Sequence, residues 1–127
     1  MPTNNVSKPP EKLTYKDPRY FELYANNVNF ESSIWDLKML FAVLEQDPES
    51  PPFRQLCAVR IPWAQAKLMA YYLFMNIVFQ EERQEKIHLP ESLTPKPIEG
   101  LLDDLPNDDK ARVIVQRIQR MRAELGL

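Results

Sequence analysis

Two glycines, one cysteine and one histidine are all that 127 residues supply of three residue types on which many functional sites depend. Gly100 has no second glycine near it, so the chain holds no glycine-rich loop that could cradle a phosphate. With Cys57 alone, an internal disulfide is impossible, and Cys57 and His88 together fall short of a zinc ligand set. A cysteine nucleophile would also need a base held beside it, and the nearest basic residues in sequence are Arg54 and Arg60. Cys57 is therefore expected to be a small buried hydrophobe, and His88 a solvent-exposed side chain. The net charge of -2 excludes a strongly basic polyanion binder. The opening MPTNNVSKPPEK lacks the apolar core of a signal peptide, so a cytoplasmic location is expected. No catalytic constellation, cofactor or small-molecule substrate is inferred, and an enzyme is not expected.

What the chain does have is a long apolar helix signal. Residues 63–84, WAQAKLMAYYLFMNIVFQEERQ, follow Pro62, which suits the start of a helix. Ala64, Leu68, Tyr71, Met75, Val78 and Phe79 recur at helical spacing, and Ala70, Leu73, Phe74 and Ile77 fill much of the other side. A helix apolar on nearly all sides is expected to be buried. Its uncharged stretch, Leu68 to Gln80, is shorter than the ~20 residues a bilayer demands. Lys67 bounds that stretch before and Glu81, Glu82 and Arg83 after, so no membrane is expected. One small domain rarely covers every side of such a helix, so a second copy of the chain is the natural cover and a homo-oligomer is expected.

The remaining order reads from the N-terminus. Residues 1–17 are polar and proline-bearing, a disordered arm by composition. Phe21 to Phe30 is a candidate strand with Tyr24, Val28 and Phe30 on one face. Its asparagines are expected to bond nearby backbone from a solvated face. Residues 32–46, SSIWDLKMLFAVLEQ, are ambiguous. As a helix, Ser33 would cap it, with Ile34, Leu37, Leu40, Phe41 and Leu44 in one stripe. As a strand it would be apolar on both faces. Composition, rich in Leu, Met, Ala and Glu, favours the helix. DPESPP at 47–52 is turn chemistry, and Phe53 to Ile61 alternates as a strand. This places an α+β core domain at residues 18–85.

Residues 86–106 hold Pro90, Pro95, Pro97 and Pro106 and read as a proline-rich acidic linker. Residues 107–127 form the last helix, with Asn107 as cap and Gly126 as stop. Ala111, Ile114, Ile118, Met121 and Leu125 follow a heptad spacing suited to packing on another helix. The same helix carries Arg117, Arg120 and Arg122, which could contact nucleic acid phosphates. That is the alternative reading of function, and the arginines' spread around the helix disfavours it.

Three landmarks carry a resemblance: Tyr24-Ala25-Asn26, Trp35-Asp36-Leu37 and Ala66-Lys67-Leu68. Over about residues 20–85 their order resembles the family called domain of unknown function 3467. The family helix typically opens with Ser-Pro, where this chain has Ile61-Pro62-Trp63, and the family's glycine after the second strand is missing. The resemblance implies three antiparallel strands followed by a long helix, similar to a minimal SecB export chaperone fold, and so implies a strand at 37–44. It brings no catalytic residue. The expected function is a non-catalytic oligomeric protein-interaction module: an adaptor, scaffold or holdase-like binder of polypeptides. Its expected interaction residues are Leu68, Tyr71, Tyr72, Leu73, Phe74 and Met75, with Ile114, Ile118 and Met121.

Overall fold

The computed structural model describes residues 13–95 and 109–127. Most of the N-terminal arm, the second half of the proline-rich linker and the Asn107 cap lie outside the described residues. The fold is α+β: strands β1 (Asn27–Ser32), β2 (Asp36–Leu44) and β3 (Phe53–Pro62), helix α1 (Trp63–Arg83), a short 3-10 turn (Glu91–Leu93) and helix α2 (Asp109–Glu124). Two compact units divide within α1, the first ending at Phe74 and the second beginning at Met75.

The sheet of the first unit is antiparallel with β2 central. Pairing register sorts its side chains cleanly. Three rows cross one face: Val28–Phe41–Cys57, Phe30–Met39–Val59 and Ser32–Leu37–Ile61. Eight of those nine positions are apolar, and cross-strand neighbours on one face pack directly. The opposite face carries Glu31–Lys38–Arg60 and Asn29–Leu40–Ala58. Its charges pair, Lys38 with Glu31 at 3.5 Å and Arg60 with Asp36 at 4.0 Å. The register slips between Phe41 and Ala42, so Leu56 is an extra residue on β3. A bulge on an edge strand twists it and discourages further strands from adding there.

Residues 36–44 are a strand, against the helix that composition favours. β3 pairs with all nine residues and β1 with the six from 37 to 42, so most of the strand's backbone groups are satisfied from both sides. Helix propensities differ by only tenths of a kcal/mol per residue, roughly 0.7 at most among ordinary side chains, so tertiary pairing decides. Ser33, expected as a helix cap, organises the β1–β2 turn instead. Its Oγ accepts the N–H groups of Trp35 at 3.1 Å and Asp36 at 3.0 Å, and donates to Asp36 Oδ1 at 2.9 Å.

β1 begins at Asn27, six residues later than the candidate strand. Asn26 is the reason. Its N–H donates to the Ala42 carbonyl at 3.1 Å, and its side-chain Oδ1 accepts the Leu44 N–H at 2.8 Å. The side chain thus takes the place of the next backbone acceptor, as asparagine readily does. The preceding Phe21 to Ala25 leaves the ladder, and Tyr24 is exposed outside the strand. Just before it, Asp17 accepts the Arg19 backbone N–H at 2.8 Å and its guanidinium at 3.1 Å, which together hold the Asp17 carboxyl below its usual range.

In the second unit, α2 ends in a Schellman motif. Gly126, at φ +72°, donates to Ala123, and Leu127 donates to Arg122, both at 3.0 Å. The Arg122 guanidinium donates to the Pro95 carbonyl at 2.7 Å, joining α2 to the segment after the 3-10 turn.

Candidate interaction surface

Among the described residues only Met39, Ala42 and Ala111 are buried apolar side chains. Met39 sits in the middle row of the apolar sheet face, between Phe30 and Val59. Even there the cover is partial, since Phe30 is 61 % exposed and Val59 42 %. Phe21, Leu23 and Ala25 alternate along the extended segment before β1. With Phe41, Cys57 and Val59 they line an open cleft of about 310 Å³ on this face. Cys57 is half-buried at that cleft instead of sealed in a core.

Helix α1 is the larger departure from expectation. The apolar composition predicts burial, yet none of its residues is buried in the single chain. Tyr71 is 63 % exposed, Leu73 57 % and Leu68 50 %, with Tyr72, Val78 and Phe79 similar. Phe74 and Met75 are half-buried. A helix that is apolar all round has more surface than the few elements of so small a chain can cover. Tyr71 and Tyr72 meet edge to face at 5.4 Å between ring centroids. Arg83 lies over the Phe79 ring at 5.3 Å. Glu81, which bounds the uncharged stretch of α1, accepts the Ile87 N–H through Oε2 at 3.0 Å and so fixes the turn after α1.

On α2, Ala111 is buried and Leu125 is half-buried, whereas Ile114, Ile118 and Met121 stay exposed. Leu125 and Leu127 join Ile77, Ile87 and Leu89 around a second apolar cleft of about 200 Å³. The heptad seam is thus only partly used within the chain. Arg117 and Arg120 share a side of the helix, and Arg122 parts from them. At roughly 100° per residue, Arg122 lies some 160° from Arg120 around the helix. It points to Pro95, while Arg117 and Arg120 face solvent.

Asn27 departs from the solvated, backbone-bonded asparagine that the sequence leads one to expect. Its Oδ1 is shut off from solvent with no hydrogen-bond partner. Asparagine's position on the face opposite Val28 was legible; its desolvation was not. Among the described residues no three His, Cys, Asp or Glu gather as a metal ion would require, and no helix is long and apolar enough to cross a membrane.

No family model matches the chain, and no curated protein or solved structure matches it.

Proposed function

We propose that this chain is a non-catalytic, oligomeric protein-interaction module, acting as an adaptor, scaffold or holdase-like binder of other polypeptides. The observation that carries the reading is the exposure of α1: 21 residues, apolar on nearly every side, none buried. Soluble monomers rarely leave a contiguous apolar surface beyond a few hundred Å² uncovered, and larger ones mark interaction sites. The one-sided apolar sheet points the same way. Methionines and aromatic rings on such a surface adapt to varied apolar segments. The nucleic-acid reading through α2 loses support from the orientation of Arg122.

Light scattering of the purified chain at micromolar concentration tests the assembly, with a mass of at least twice 15.0 kDa expected. A soluble monomer removes the reading's main support. For the holdase-like role, the chain added to a thermally unfolding test protein should suppress its turbidity at near-stoichiometric ratio. Unchanged turbidity from a confirmed oligomer would leave the adaptor or scaffold role alone.

A further inference from the structure

Helix α1 carries a heptad stripe along its open side. Ala64, Leu68, Tyr71, Met75 and Val78 are spaced 4, 3, 4, 3, and Glu82 continues the spacing by 4. Leu68, Tyr71 and Val78 on that stripe are each exposed by two fifths or more, and Tyr72 and Phe79 widen it. Of the less exposed residues of the helix, Ala66, Met69, Phe74, Ile77 and Glu81 lie on other sides, and Met75, half-buried, lies on the stripe. A seam of this period is suited to a second helix crossing at a shallow angle, with knobs seated in holes.

We infer that the stripe is covered by the same stripe of a second copy, the two α1 helices running antiparallel about a two-fold axis near residue 73. This rests on the oligomeric reading above and names its interface. In this register Leu68 meets Val78 of the other copy, Tyr71 meets Met75, and Ala64 meets Glu82, which sits at the solvated end. Three observations select it. The first is charge. Lys67 flanks the stripe, and antiparallel pairing about residue 73 brings it within about 5 Å, along the axis, of the level of Glu82 of the other copy. The second is repulsion. A parallel pair would set Glu82 against its own copy at a seam position, two like charges in contact. Antiparallel helix dipoles also offset each other. The third is area. Half-exposed side chains of this size present ~100 Å² each, so α1 alone offers on the order of 600 Å². A stable interface buries ~800 Å² per partner, so α1 supplies most of that requirement.

Cross-linking separates this pairing from other dimers. Gln65→Cys and Arg83→Cys are made singly in a Cys57→Ser background, so each chain carries one thiol. Antiparallel pairing sets residue 65 within about 3 Å, along the axis, of the level of residue 83 in the other copy. It holds two copies of residue 65 roughly 24 Å apart and two copies of residue 83 roughly 30 Å apart. A short bis-maleimide should therefore cross-link the subunit-exchanged mixture of the two variants, and neither variant alone. Light scattering is run on the same samples. Met75→Glu should give a folded chain, by far-UV circular dichroism, that is monomeric where the parent is dimeric. Lys67→Glu should raise the dimer dissociation constant several-fold at low salt, the gap closing at high salt. A dimer that gives no mixed product, or as much product from each variant alone, overturns the α1 pairing and leaves the oligomeric reading standing. A monomer at every concentration overturns both.

Discussion

The indole N–H of Trp63 donates to the Ser33 carbonyl across 2.9 Å. This bond ties the first residue of α1 to the turn between β1 and β2, 30 residues earlier in the chain. Trp63 follows β3 with no loop, so this one contact fixes how the helix leaves the sheet. Trp63→Phe keeps most of the ring's packing and removes the donor. It should lower the stability of the sheet unit by about 1 kcal/mol, the net worth of a typical hydrogen bond, read as a lowered urea midpoint at unchanged m-value.

Ser33 is the other half of that junction. Ser33→Ala deletes the acceptor that holds the Trp35 and Asp36 N–H groups. These groups are exposed and can turn to water, so the cost should be about 1 kcal/mol and not more. Thermal unfolding checks it, and Ser33→Thr should recover part of the loss because its hydroxyl accepts the same bonds and still donates to Asp36.

The Ser33 turn also shows how far the sequence could be read. Ser33 with Asp36 three residues on is a helix-capping pattern, and the same donors and acceptors close a hairpin turn. Local chemistry cannot separate the two, because both offer a side-chain oxygen to two backbone N–H groups. Leu37 to Leu44 has the same ambiguity, decided by partners on both sides that no local window contains. By contrast α1 was legible almost to the residue. Pro62 marks its start and its apolar spacing has one period. What could not be read was its cover: periodicity reports which residues avoid water, not whether this copy of the chain supplies what shields them. The deviation at Asn26 has a like cause, since one side chain replacing one backbone acceptor leaves no trace in composition.

Asn27 should be a site of easy stabilisation. Its desolvated, unpaired Oδ1 costs roughly 1–3 kcal/mol that an apolar side chain would not. Asn27→Val also suits a strand position. A raised melting temperature is expected, by roughly 4–8 °C per kcal/mol for a unit of this size. An unchanged or lowered value would show that the amide finds a partner in solution.

Leu73 tests the exposure of α1 directly. A buried helix would not tolerate Leu73→Glu, since an unpaired buried carboxylate is costly. At 57 % exposure the carboxylate stays hydrated. The variant should fold, with stability within about 0.5 kcal/mol of the parent in chemical denaturation. A loss of several kcal/mol would mean that a partner covers this side of α1 as well.

The last expectation concerns α2. The hydrogen-bond ladder of the sheet is complete within residues 27–62, and α2 belongs to the second compact unit. In that unit Leu125 and Leu127 border the cleft with Ile77, Ile87 and Leu89, and Arg122 holds the Pro95 carbonyl. Deleting residues 104–127 should therefore leave the β-sheet amides in place in a nitrogen–proton correlation spectrum. It should unpin the segment around Pro95 and open the cleft side chains to water, read as increased binding of an apolar dye. Ile114→Asp with Ile118→Asp should be milder, because both side chains already face solvent in the single chain. If the double change is as disruptive as the deletion, those isoleucines are covered in the assembly, and the free half of the heptad seam is itself an interface. Loss of the sheet signals on deletion would instead show that the sheet needs α2 to fold.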